Sequence, residues 1–268
     1  IAGVARTALN YNIEVCLIPN GYAGLYNLNN LDPLSLNAAR VDRIHSSIAG
    51  SEAGHSRVKI SKIKDENKYD KIRAGLNKHK IDGLIIAGGD DTGSVVVDLI
   101  ENGIICNHVP KTMDLDLQTY SVGGDSTINR ISTFTHELWT TGITHNRALV
   151  IEVFGRYSGH TALRGGLGAD ADCILIPEIE VDYDVVYEHF KKTYIERLKA
   201  SDVKGSTYII VAAEGLKNKD GKLFTDDTTT DSFGHQRLTG VGQYIRRQLE
   251  AKMKDDADWD EVLADEGI

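Results

Sequence analysis

Six short apolar runs, uninterrupted rather than alternating and separated by helical patterns, predict a doubly wound α/β fold with parallel sheets. A third observation agrees: glycines and charged residues gather where the runs end, and open α/β sheets bind ligands at that edge.

In order, the chain opens on a helical pattern, IAGVARTALNY, and passes to a run at 13–19 (IEVCLIP). Further runs follow at 82–87 (DGLIIA), 103–107 (GIICN), 148–153 (ALVIEV), 173–177 (CILIP) and 207–213 (TYIIVAA), each read as a buried strand. Helical patterns fall at 61–79, 92–102, 121–142, 158–169, 181–200 and 238–254. The polar stretch 218–232 (NKDGKLFTDDTTTDS) reads as an exposed loop. The chain starts without a methionine inside a helical pattern, and its last amphipathic stretch runs into acidic residues with no closing strand. Both ends read as those of a fragment.

Charge narrows the partners. Lys and Arg number 30 against 39 Asp and Glu, a formal charge of −9, the wrong sign for a protein that mainly binds nucleic acid or an anionic membrane. Cys16, Cys106 and Cys173 stand far apart in no metal-ligand spacing, which argues for a reducing compartment and against a disulfide framework or a zinc site. No run of 18 apolar residues and no basic-then-apolar leader occurs, so the expectation is a cytoplasmic protein.

Four strand ends carry the chemistry. In IIAGGDDTGS (85–94) a strand delivers two glycines and two acids to a helix start, where close backbone approach and free N–H groups suit a phosphate and Asp90 can hold Mg²⁺. In VPKTMDLDL (109–117), Lys111 and Thr112 offer phosphate donors. Asp114 and Asp116, two apart, share a face on extended backbone, so one can accept a hydroxyl proton while the other supports a metal or second substrate. HNRALVIEVFGRYSGH (145–160) supplies Arg147 and Arg156, whose planar forks suit phosphate, with Gly155 permitting close approach. IVAAEG (210–215) places Glu214 where it can accept from a sugar hydroxyl. Together these are the parts of phosphoryl transfer to an alcohol. The nucleophile elbow, HExxH, Walker A and strict GxGxxG patterns are absent.

GGDDT, PKTMDLD, THNRALVIEVFGR and IVAAEG, with NGYAGL at 20–25, IAGSEAGHSR at 48–57 and IPE at 176–178, resemble in order and spacing the 6-phosphofructokinase family. The likeness runs from about Asn20 to Gly242 and is closest to the pyrophosphate-dependent branch, because Asp91 stands after GGD where the ATP-using branch has a glycine. Bulk and negative charge there oppose an ATP α-phosphate.

The resemblance implies two Rossmann-like doubly wound domains, a phosphoryl-donor domain over 1–125 and a fructose 6-phosphate domain over 126–268, with the active site in the cleft between them. It implies Mg²⁺-dependent transfer of a phosphoryl group from pyrophosphate to the 1-hydroxyl of fructose 6-phosphate, giving fructose 1,6-bisphosphate in glycolysis. Asp114 would be the general base and Arg156 its catalytic partner. Arg57, Gly89, Asp90, Asp91, Thr92 and Lys111 would bind the donor, with Asp90 on the metal. Thr112, Asp114, Asp116, Arg147, Phe154, Gly155, Arg156 and Glu214 would bind the sugar phosphate, Arg147 reaching a neighbouring subunit's site in a homo-oligomer. The family's first strand and Gly-rich loop would precede Ile1, and further sugar-phosphate cations would follow Ile268. The alternatives are an ATP-dependent 6-phosphofructokinase, a lipid or dinucleotide kinase sharing the GGD loop, and a non-catalytic or regulatory fragment. PKTMDLD and FGR argue against the lipid and dinucleotide kinases.

Overall fold

The computed structural model describes residues 1–45, 50–114, 122–218, 220–223, 225–230, 236–238 and 240–265. The chain divides into two compact units, Ile1–Lys111 and Thr112–Ile268, a division that falls ahead of residue 125.

The first unit begins with α1 (Ala2–Asn10) and β1 (Cys16–Leu17), followed by α2 (Gly21–Tyr26), β2 (Leu34–Ser35) and α3 (Ala38–Asp42). It continues through α4 (Lys68–Lys78), β3 (Leu84–Gly88), α5 (Asp90–Glu101) and β4 (Cys106–Pro110). Strands β3 and β4 run parallel in register from Leu84–Cys106 to Gly88–Pro110, joined through α5, so the expected βαβ unit is present. Leu84, Ile86 and Cys106 pack on a core built from Leu25, Leu28, Ile72, Leu76, Val95 and Leu99 of the flanking helical segments.

Two expectations change here. The 82–87 and 103–107 runs read as strands buried on both faces, yet Ile85 is 53 % and Ile105 76 % exposed, because among the described residues helices pack on one face of the pair only. The 13–19 run forms only the two-residue β1, paired antiparallel with β2, and Ile13 is exposed. Among the described residues β1 pairs with β2 alone, so the run does not become a sheet interior.

The second unit holds α6 (Gly124–Thr144), β5 (Ala148–Val153), α7 (His160–Gly168), β6 (Cys173–Leu175), α8 (Tyr183–Ala200) and β7 (Tyr208–Ala213). After these come β8 (Thr225–Thr230), β9 (Gln236–Leu238), α9 (Val241–Asp255) and α10 (Asp258–Asp265). Its main sheet is parallel, in the order β5-β7-β6, and all six residues of the central β7 are buried. The period-two geometry of a strand then sorts β7 between two cores. Tyr208, Ile210 and Ala212 face Val186, Phe190, Val241 and Ile245 from α8 and α9, while Ile209, Val211 and Ala213 face Ala162 of α7 and Ile131 of α6.

Helix α10 is tied back to α8. The Trp259 ring stacks on Phe190 with centroids 5.6 Å apart, and its Nε1–H donates to the Tyr187 hydroxyl at 2.7 Å. That hydroxyl donates to Asp256 at 2.7 Å, and Lys191 pairs with the same carboxylate. The expected loop at 218–232 contains β8, antiparallel to β9: its threonines suit a pleated backbone, a signal that the Gly/Asp/Thr composition had masked. Among the described residues no helix is long and apolar enough to cross a membrane.

Candidate active site

The first cluster forms where β3 delivers the chain to α5. Gly89 is the N-cap, and Asp90 and Asp91 fill the first turn, where the helix dipole favours negative charge. Asp90 is exposed and Asp91 half-buried. The turn is braced from several sides. The Ser94 hydroxyl donates to the Asp91 carbonyl at 2.8 Å, and the Tyr22 hydroxyl donates to the Thr92 carbonyl at 2.8 Å. Burial pushes that phenol well above its ordinary range. The Lys111 N–H donates to the Gly88 carbonyl at 2.8 Å, so the β3–β4 ladder continues one step past β4 and holds Lys111, exposed, beside the loop. Arg57 is also exposed, and the adjacent Ser56 hydroxyl accepts the Ala23 N–H at 3.0 Å, anchoring its segment to α2.

The second cluster belongs to the other unit and has two parts. Thr112, 7 % exposed, donates its hydroxyl to Asp114 Oδ2 at 2.6 Å and accepts the Asp114 N–H at 3.2 Å. This closed pair of bonds holds the half-buried carboxylate in one orientation. The other part is built from strand ends. The parallel ladder of β5 and β7 continues past both strands: the Glu214 N–H donates to the Val153 carbonyl and the Gly215 N–H to the Gly155 carbonyl, each at 2.9 Å. Phe154, Gly155 and Arg156 are thereby fixed alongside Glu214 and Gly215. The approach is close enough that a Cβ on Gly215 would overlap the Arg156 carbonyl, so only glycine fits there. Thr161 donates its hydroxyl to the Phe154 carbonyl, and Glu178 accepts the Gly159 N–H at 2.9 and 3.1 Å, closing the loop onto the start of α7.

Glu214 is the electrostatically unusual member. Its Oε1 is buried with no hydrogen-bond partner, and burial raises its carboxyl above the usual carboxylate range. The Gly155 N–H and the Arg156 guanidinium oppose that rise, while Glu152 and Asp114 add to it. An unsatisfied oxygen beside a cation and two other acids marks a place where a ligand's donor is missing.

Of the expected residues, Gly89, Asp90, Asp91, Thr92 and Lys111 come together in the first unit, and Phe154, Gly155, Arg156 and Glu214 with Asp114 in the second. Arg147 does not join them. It precedes Ala148 at the opening end of β5, with about 20 Å of strand between it and the loop that carries Arg156. Asp116 lies outside the described residues. His108, Tyr22, Glu152 and Glu178 were not anticipated, although a lone imidazole in an apolar strand feeding PKT was a visible signal for the first. Among the described residues no three or more His, Cys, Asp or Glu side chains gather as a metal site.

Comparison with known proteins defines the class. The phosphofructokinase family pattern matches residues 1–262, and the chain belongs to that family. It is 33 % identical over 264 residues to the pyrophosphate–fructose 6-phosphate 1-phosphotransferase of Dictyoglomus thermophilum, covering 94 % of this chain and 70 % of that enzyme. It is 35 % identical over 269 residues to ATP-dependent 6-phosphofructokinase 2 of Clostridium perfringens, covering 95 % and 70 %. The crystal structure of the pyrophosphate-dependent phosphofructokinase from Marinobacter aquaeolei shares the fold, with a TM-score of 0.68 and 20 % identity over 94 % of this chain and 61 % of that one. The chain thus spans roughly two thirds of these proteins' length.

Proposed function

We propose that this chain carries the catalytic residues of a pyrophosphate-dependent 6-phosphofructokinase, transferring a phosphoryl group to the 1-hydroxyl of fructose 6-phosphate. The observation that carries the reading is Asp114, a carboxylate held by Thr112 at 2.6 Å in a unit that also presents Arg156 and Glu214. Family membership supplies the reaction class.

In this reading Asp114 accepts the proton of the sugar 1-hydroxyl as that oxygen forms its bond to the terminal phosphorus of pyrophosphate. The bridging P–O bond breaks and inorganic phosphate leaves. Arg156 holds a phosphate by its planar fork, and Glu214 accepts from a sugar hydroxyl, satisfying its orphan oxygen. The backbone N–H groups at the start of α5, with Lys111 and Arg57, hold the donor.

Asp90 is the residue to hold magnesium. A single carboxylate at the mouth of a phosphate-binding turn fits an ion that usually takes one or two carboxylates together with substrate phosphates. When bound, the ion neutralises charge on the donor phosphates. Asp91 sets the donor: a half-buried acid in that turn opposes the third phosphate and the nucleoside of ATP. Arg147, on the far end of β5, serves the sugar-phosphate site of a neighbouring copy, and the enzyme works in the cytoplasm. A comparable likeness to an ATP-dependent relative keeps ATP as the second reading.

Asp114→Ala tests the assignment. Turnover should fall by about 10²- to 10⁴-fold while fructose 6-phosphate affinity stays within about threefold. Turnover at the parent rate would remove Asp114 as the base.

A further inference from the structure

One imidazole beneath the donor turn has no part in the proposed chemistry. His108 lies on β4 opposite Ile86 of β3, half-buried, and its Nε2 is 2.9 Å from the Gly88 carbonyl. A carbonyl only accepts, so Nε2 carries the hydrogen. The same oxygen receives the Lys111 N–H at 2.8 Å, so both of its lone pairs are engaged. The ring also packs under α5: a Cβ on Gly93 would stand 3.0 Å from His108 Cε1.

The geometry points to His108 as a positioning residue for phosphoryl-donor binding, an inference that rests on the function proposed above. Its lever is the peptide plane. In a trans peptide the C=O and the following N–H point in opposite directions, so a carbonyl pinned by two donors also aims the next amide. Here the pinned carbonyl is that of Gly88 and the aimed amide that of Gly89, the residue from which the Asp90–Asp91 turn departs. His108 and the Lys111 backbone pull the Gly88 oxygen toward β4. The Gly89 N–H is thereby turned away from the sheet ladder, toward the side on which an anion meets the helix N-terminus. Contact with Gly93 sets the height of the first turn of α5 above the same ring. His108 touches no donor atom in this scheme; it acts through Gly88 and Gly93.

Calorimetric titration of the full chain with magnesium pyrophosphate tests this. His108→Ala should weaken pyrophosphate binding about tenfold, the worth of one hydrogen bond, and leave fructose 6-phosphate affinity unchanged. His108→Gln keeps an N–H donor and should restore most of the loss. Gly93→Ala keeps His108 but displaces the ring, so it should reproduce the donor-selective defect even if His108→Ala folds poorly. In long-range ¹H–¹⁵N spectra of the parent, the His108 Nε2 should appear as a protonated nitrogen. Unchanged pyrophosphate affinity in His108→Ala, equal losses for both substrates, or a Gln variant as weak as the Ala variant would each overturn the positioning role alone. A parent protein that binds neither pyrophosphate nor ATP would overturn the function proposed above and this inference with it.

Discussion

The two units use the same device, a parallel strand ending in glycine and charge, but they bury it differently. In the first, β3 and β4 carry helices on one face only among the described residues, and the acids at the strand end are exposed or half-buried. In the second, β7 is buried on both faces and ends in Glu214, whose Oε1 is buried and unpaired. The difference fits the two ligands of the proposed function. Solvated acids at a helix start suit phosphates that arrive with their own cation, whereas a desolvated carboxyl next to Arg156 suits hydroxyls that complete its hydrogen bonding.

The largest effect that would break this contrast is in stability. Ile210→Ala, in the centre of β7, should lower the unfolding free energy by about 2–5 kcal/mol. The same truncation at Ile105, 76 % exposed just ahead of β4, should change it by no more than about 0.5 kcal/mol. Equal urea midpoints for the two variants would show that the units do not differ in burial as described.

Next in size is the Asp90–Asp91 turn, the proposed donor site. Asp91→Gly removes the half-buried acid from the first turn of α5 and should raise the ratio of ATP-driven to pyrophosphate-driven rate by about tenfold or more. Initial rates with each donor measure it, and an unchanged ratio would place donor choice elsewhere.

The smallest effect concerns Glu214 and its dependence on pH. A carboxyl raised above its unfolded value of 4.5 supports the fold fully below that value and loses its contribution as pH climbs through the raised folded value. Glu214→Gln cannot ionise, so the parent's urea midpoint should decline relative to the variant's as pH rises above 4.5, with the two converging in acid. A gap that stays constant with pH would mean that burial does not govern this carboxyl.

How far the chain itself announced these features follows from what creates them. The β7 run and the motifs GGDDT, FGR and AAEG were legible because a fully buried strand is continuously apolar and a strand-end site needs glycine and charge together. The 13–19 run misled for the same reason: it is as apolar as a sheet strand, but only Cys16 and Leu17 pair, and they pair with the distant Leu34 and Ser35. Helices α2 and α3, six and five residues long, are too short to display a helical period. Strand β8 was hidden under a polar composition that reads as loop. The braces of the site were equally silent, since His108 to Gly88, Glu178 to Gly159 and Glu152 to Gly242 join residues far apart in sequence through backbone atoms. Side-chain identity says little about such bonds until the strands are placed.

The proposed function requires two parts, a turn at Asp90 and Asp91 that takes pyrophosphate and a base at Asp114. The most direct measurement is ³¹P NMR of the full chain with fructose 6-phosphate, Mg²⁺ and equal concentrations of pyrophosphate and ATP. The pyrophosphate signal should decay as fructose 1,6-bisphosphate and inorganic phosphate appear, with the ATP resonances unchanged. Consumption of ATP with pyrophosphate untouched, or of neither donor, would contradict it.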